Sequence, residues 1–191
     1  GRCYDIDSDS RVIQFISLSF DPATAEIFTT LCLGAALYLP PSAKQALEAG
    51  LVQFMHEHSI THMQIPPAVL ASLPTDIPLP ALQVIGSGGE APSSQIVQQW
   101  AAGRRYFNLY GPTEITISAT LMEFQKGMSR FPIGKPISNT QVYILDKNHQ
   151  PTPIGVEGEM YIGGVGVAQG YLNRPELTAE RCVRQPFSAD P

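Results

Sequence analysis

From Arg11 to Tyr110 the chain alternates short apolar runs with helix-like segments, and this rhythm constrains the fold more than any other feature. Arg11–Phe20 (RVIQFISLSF) is rich in Val, Ile and Phe and reads as a buried strand. Thr24–Leu33 follows as a helix with Ala25, Phe28 and Cys32 on one face, ended by Gly34. Ala35–Leu39 reads as a strand stopped by Pro40 and Pro41, and Ala43–His58 as an amphipathic helix with Leu47, Leu51, Phe54 and Met55 inward. A strand at Thr61–Ile65, a helical turn at Val69–Leu73 and a strand at Leu82–Ile85 come next. Pro92, at a first-turn position, opens a helix running to Ala101, and Tyr106–Tyr110 is the last strand of the series. Such a βαβ succession predicts a mixed or parallel sheet with flanking helices, an α/β fold.

Beyond Glu123 the grammar changes. Val142–Leu145, Gly158–Ile162 and Val165–Tyr171 are short strand-like runs separated by Gly, Pro, Asn or Asp, the pattern of a small antiparallel sheet or barrel. Periodicity falters over Lys126–Pro132, so the expected division is an α/β subdomain at residues 1–125 and a β-rich, barrel-like subdomain at 126–191. Helix returns at Pro175–Cys182, with Asn173 as the expected cap.

Composition narrows the function. Seventeen acidic against twelve basic residues give a net charge of −5, which argues against gripping nucleic acid or an anionic membrane through a basic face. The chain is 43% hydrophobic and 15% charged, enough apolar side chain for a buried core. No apolar run approaches the ~18 residues of a membrane span, and the N-terminal residues form no signal peptide. Cys3, Cys32 and Cys182 match no metal or disulfide framework, so a reducing cytosol is the expected setting.

Two glycine clusters call for a ligand or for tight turns. Gly86-Ser87-Gly88-Gly89-Glu90-Ala91 satisfies G-x-G-x-x-A, yet the acidic residue that fingerprint requires at the next strand tip is missing, since Glu114 comes after a Pro turn. No Walker A ending is present, and Ile85 stands where a nucleophile elbow needs Gly. Gly158–Gly170 holds five of the sixteen glycines, which suits close backbone approach in turned strands. His58 and His62 are four apart but straddle a loop and a strand with no third ligand nearby, so they predict no metal site; His56 and His149 read as surface residues.

Asn108-Leu109-Tyr110-Gly111-Pro112-Thr113-Glu114 is the most informative stretch. Tyr110 could stack on a flat base, and Asn108 could read its edge with an amide that both donates and accepts. Thr113 could bond a phosphate oxygen, and Glu114 could hold Mg²⁺ through oxygen. Spacing alone leaves two readings of this turn, a ligand site and a plain connection.

Taken with FDPATAEIF (Phe20–Phe28), PIGKPISNTQVYILD (Pro132–Asp146) and GEMYIGGVGVAQGYLNRPELTAERC (Gly158–Cys182), NLYGPTE resembles the adenylation domain of nonribosomal peptide synthetases. The segments run along nearly the whole chain in the family's order, and NRPELTAER is the portion in which acyl-CoA ligases and luciferases diverge.

The resemblance implies condensation of an α-amino acid with ATP to aminoacyl-AMP and pyrophosphate, then transfer to the phosphopantetheine thiol of a peptidyl carrier domain. It implies ATP contacts at Gly88, Gly89, Glu90, Asn108, Leu109, Tyr110, Gly111, Pro112 and Thr113, with Thr113 on the α-phosphate. Glu114 would ligate Mg²⁺, and Thr113 and Glu114 carry the catalytic roles. Asp21 matches the partner of the substrate's α-ammonium. The side-chain pocket would comprise Pro22, Ala25, Gln64, Ile85, Ser87, Leu109, Ile117 and Ser118, uncharged apart from Asp21, and so suited to an uncharged side chain of moderate or large size. The resemblance also places a phosphate loop before Gly1, and a Thr-Gly-Asp segment and a mobile lobe with a catalytic Lys beyond Pro191. The chain therefore reads as an incomplete lobe, expected to be inactive alone and prone to self-association. The alternatives are an acyl-CoA-forming ligase, which Asp21 and NRPELTAER oppose, and a non-catalytic binding module.

Overall fold

The computed structural model describes residues 3–40 and 49–183, and these form two compact units. The first comprises residues 1–110 and 120–135, the second 111–119 and 136–191. The chain thus crosses from one to the other at 110/111, 119/120 and 135/136.

The first unit is built on strands β1 (Arg11–Ile13), β2 (Ala36–Tyr38), β3 (His62–Gln64), β4 (Val84–Gly88), β5 (Arg105–Tyr110) and β6 (Thr120–Glu123), with β7 (Lys135–Pro136) at the far edge. Their order is β2-β1-β3-β4-β5-β6-β7. β1 to β5 pair in parallel, and β6 runs antiparallel to β5. Helices α1 (Pro22–Cys32), α2 (Ala49–Glu57), α3 (Pro67–Ser72) and α4 (Ser94–Trp100) fall between the strands. The predicted α/β class with a largely parallel sheet is what forms.

The core explains why short strands suffice. Ile13, Met63, Ile65, Ile85 and Tyr106 meet Leu51, Val52 and Met55 of α2, Leu70 of α3, and Val97 and Trp100 of α4 in one buried cluster. Each such side chain contributes roughly 1.5–3 kcal/mol on burial. The Trp100 indole N–H donates to the Leu70 carbonyl at 3.1 Å, tying α4 to α3. No residue of α1 joins this cluster; α1 packs against β1 and β2.

Several local expectations change. The strand expected over Arg11–Phe20 extends only to Ile13: Gln14 N–H still reaches the Tyr38 carbonyl at 2.9 Å, and the amides after it leave the ladder. Phe15 N–H and Ile16 N–H donate to the Glu26 carboxylate at 3.2 and 3.0 Å. Helix α1 turns Ala23, Glu26 and Thr30 inward, not the Ala25–Phe28–Cys32 face; Phe28 is 61% exposed. β4 starts at Val84 and absorbs Gly86, Ser87 and Gly88, so the glycines are strand rather than turn. Helix α4 is opened by Ser93, whose hydroxyl accepts the Ile96 N–H, and not by Pro92. The helix expected over Ala43–His58 is present as α2 from Ala49; its first part lies outside the described residues.

The second unit holds a two-stranded antiparallel sheet, β8 (Thr140–Leu145) with β9 (Glu159–Gly164), and helix α5 (Pro175–Arg181). Among the described residues this is a hairpin, not a barrel. Asp146 Oδ1 accepts the amides of Asn148 and Gln150 at 2.8 and 2.9 Å and starts the connection. Val165–Tyr171 makes no strand: Val167 N–H bonds back to Gly164, and Ala168 N–H to Glu114 O, so its amides are used elsewhere. The residue capping α5 is Arg174 rather than Asn173, which lies at φ +56°. No helix among the described residues is long and apolar enough to cross a membrane.

Candidate functional site

Ligands of open parallel sheets bind beyond the carboxyl ends of the strands, where the strand order reverses. Here β1 leads through α1 to β2 on one side, and the chain then returns to lay β3 on the other. The reversal lies between β1 and β3, with Gln64 at the carboxyl end of β3. The chain leaving β1 reaches Asp21 at the N-terminus of α1, followed by Pro22 at the first helical position. Asp21 makes no capping bond, and its buried Oδ2 has no hydrogen-bond partner. A buried carboxylate oxygen left unpaired costs free energy unless a donor arrives. Ala25, one turn further on, is half-buried.

The carboxyl ends of β4 and β5 carry the other first-unit candidates. Ile85 and Ser87 are fully buried; Ile85 belongs to the core cluster, and Ser87 Oγ is unpaired. Their registers set Ser87 beside Asn108, and Gly88 beside Leu109. A Cβ on Gly88 would come within 2.7 Å of the Leu109 carbonyl oxygen, so that strand approach requires glycine. Gly89, at φ +87°, has open space where a Cβ would be. Glu90 is committed to the main chain, its Oε1 accepting the Ala68 N–H at 2.7 Å. The amide of Asn108, a buried residue, donates to the carbonyls of Pro132 at 3.0 Å and Phe131 at 3.4 Å, which leaves Oδ1 as the atom it can offer a base. Tyr110 ends β5 half-exposed.

At the opposite, amino end of the strands a cavity of about 490 Å³ is lined by Tyr4, Asp5, His62, Arg104 and Arg105 among others. Its charges are spoken for. Arg105 bridges Glu123 and Asp5, and His62 is held by Thr61 Oγ1 and the Tyr4 carbonyl. Burial lowers the His62 pKa, which matches a neutral structural imidazole.

In the second unit Gly111–Ala119 forms a tight, strained turn. Thr113–Ile115 is a single 3₁₀ turn, then Thr116 and Ile117 take φ +62° and +80°. Two β-branched residues in that region cost about 1–3 kcal/mol each and persist only where the surroundings enforce them. A Cβ on Gly111 would collide with the main chain of Ile117, Ser118 and Ala119, so the turn closes back on its own glycine. Thr113 is exposed, while Ile117 and Ser118 are half-buried. Glu114 accepts the Tyr171 O–H at 2.5 Å on Oε1, and this bond holds its carboxyl below the usual range. Ionised at neutral pH, with acceptor capacity left after one hydrogen bond, it is chemically suited to Mg²⁺.

The AMP-binding enzyme family matches residues 1–172. The chain belongs to this family. It is 50% identical over 186 residues to a linear gramicidin synthase of Brevibacillus parabrevis, covering 97% of this chain and 2% of that protein. Its fold is similar to a solved nonribosomal peptide synthetase, FmoA3, with a TM-score of 0.90 and 27% identity over 98% of this chain and 22% of that one. It is also similar to the Vibrio cholerae adenylation domain AlmE, solved in complex with glycyl-adenosine-5'-phosphate. There the TM-score is 0.83 and the identity 28%, over 97% of this chain and 37% of that one. The chain therefore spans a small part of the length of the proteins it matches. The resemblance read from the motifs to adenylation domains of nonribosomal peptide synthetases holds across nearly the whole chain.

Two residues of this member of the AMP-binding enzyme family escape a reading by motif. Glu26 is 4% exposed and follows Ala25 directly, one turn beyond Ala23 on the inward face of α1. Burial pushes its carboxyl up to about 7 against the amides it accepts. Its place within FDPATAE was the available signal, but a carboxylate on a helix reads as surface until its face is known. Tyr171 was visible only as part of a long match; its bond to Glu114 joins positions 57 apart in sequence.

Proposed function

We propose that the chain carries the amino acid pocket and nucleotide turn of an enzyme that activates an α-amino acid with ATP, giving aminoacyl-AMP and pyrophosphate. The activated acid would then pass to the phosphopantetheine thiol of a peptidyl carrier domain. The observation that carries this reading is the buried, unpaired Oδ2 of Asp21 at the topological reversal of the sheet. A substrate α-ammonium is the donor that carboxylate lacks, and it brings the compensating charge.

The remaining roles follow the family resemblance, residue by residue. Tyr110 offers its ring to adenine, and Asn108 Oδ1 and the open main chain at Gly89 suit the base edge. Thr113, exposed, offers a hydroxyl to the α-phosphate. Glu114 would hold Mg²⁺, which when bound offsets charge developing on the attacked phosphorus. The chain's own contribution is to hold the groups that react: Asp21 would fix the amino group of the substrate, with no covalent enzyme intermediate. Pro22, Ala25, Gln64 and Leu109 suit an uncharged side chain, with Ile85, Ser87, Ile117 and Ser118 as the further positions. For these 191 residues alone, we propose binding of the adenylate without ATP–pyrophosphate exchange.

The test is thermal shift with non-hydrolysable aminoacyl-adenylate analogues and their deamino counterparts, since a ligand of the native state raises Tm. An aminoacyl analogue is expected to raise Tm and its deamino partner to do so far less, with Asp21→Asn erasing the difference. Equal binding of both analogues to the wild type would overturn the amino acid reading.

A further inference from the structure

Glu114 is a flexible side chain on a strained turn, and the second unit supplies a continuous set of contacts that fixes it. Its main-chain oxygen accepts the Ala168 N–H at 2.8 Å. Two residues on, the Thr116 O–H donates to the Gly166 carbonyl at 2.6 Å. The carboxylate itself receives the Tyr171 O–H on Oε1 at 2.5 Å. Tyr171 is anchored in turn. Its N–H donates to Thr178 Oγ1 at 2.9 Å, and the Thr178 hydroxyl donates to the Arg174 carbonyl at 3.0 Å across the first turn of α5. Gly170, at φ +133°, has the Thr178 side chain pressed against its α-carbon, where any Cβ would collide. The glycine therefore lets α5 approach closely enough for Thr178 to hold Tyr171.

We propose that Tyr171 is a positioning residue for Glu114, holding one carboxylate oxygen so that the other is presented to the Mg²⁺ of the nucleotide. Thr178 of α5 serves as the anchor of Tyr171. This rests on the proposed role of Glu114. It also gives the Gly170–Arg181 segment a physical task, as the mount of an acidic residue more than fifty positions earlier. The hydroxyl must donate, because a carboxylate only accepts. Phe at this position removes that bond with little change of shape. Groups that orient a metal ligand typically change metal affinity about 10–100-fold when removed.

The experiment uses the full chain with ATP saturating and Mn²⁺ as a reporter for Mg²⁺, followed by water-proton relaxation. ATP binding without metal is measured in parallel, and thermal melting checks that each variant folds. Tyr171→Phe is expected to raise the Mn²⁺ concentration at half-saturation about tenfold while leaving metal-free ATP binding within about twofold. A purely structural role for Tyr171 would weaken both together. Thr178→Val repeats the test from a residue that reaches Glu114 only through Tyr171, and a smaller rise of the same kind is expected. Glu114→Gln separates the two levels of the argument. Loss of the metal response in Glu114→Gln beside a wild-type response in Tyr171→Phe and Thr178→Val overturns the positioning role alone. A wild-type response in Glu114→Gln, or no metal response in the wild type, overturns the role of Glu114 and the inference with it.

Discussion

Glu26 shows how one buried side chain shapes its surroundings. Its carboxylate takes the amides of Phe15 and Ile16 and the Gln14 side chain, which ends β1 after Ile13 and starts the path toward Asp21. Desolvation outweighs those hydrogen bonds and raises the carboxyl pKa to about 7, against 4.5 for the free group. The folded state then binds this proton more tightly than the unfolded state does, so stability falls as pH rises from about 4.5 through about 7 and is flat above. The loss attributable to Glu26 is at most about 3 kcal/mol. Urea denaturation across that window should show the slope, and Glu26→Gln should remove it while keeping an acceptor for the two amides. A slope of equal size in Glu26→Gln would assign the effect elsewhere. Asp21, Tyr110 and Glu114 are legible in the motifs, whereas Glu26 is not. Burial of a carboxylate is decided by which helix face turns inward, and on α1 that stripe includes Glu26 and Thr30 rather than apolar residues alone.

At the scale of elements, the turn Gly111–Ala119 binds strain to position. Thr116 and Ile117 adopt positive φ, and their main chain folds against Gly111. Gly111→Ala should destabilise the second unit by about 2 kcal/mol or more, because main chain cannot yield as a flexible side chain does. Amide hydrogen exchange faster at Ile115–Ala119 than at β8 and β9 in that variant would confirm the location; uniform loss of protection would not. The strands and helices with clear periodicity were legible in the sequence, among them β3, β5, β8, β9 and α5. The run Val165–Tyr171 was not, since its apolar alternation looks like a strand while its amides are claimed by Gly164 and Glu114. Local pattern reports which face is apolar; it does not report which distant carbonyl accepts an amide.

For the whole molecule, apolar residues remain outside the core of the first unit. Phe20, Phe28 and Leu31 are each more than half exposed around α1, with Leu18 and Leu39 close in sequence to it. Exposed apolar surface of this kind favours association. Light scattering is expected to show concentration-dependent self-association, reduced in a Phe28→Glu, Leu31→Lys variant that leaves the inward stripe of α1 untouched. A wild-type monomer at high concentration would refute it. The α/β class, the βαβ order and the membership in the AMP-binding family were determined by the sequence alone, because periodicity and contiguous motifs are local and survive in one dimension. The reversal of strand order between β1 and β3, the inward face of α1, the unpaired oxygen of Asp21 and the grip of Tyr171 on Glu114 were decided only by the tertiary structure. Each depends on pairings between residues far apart in the chain, and those are set by which surfaces bury together rather than by any neighbouring residue.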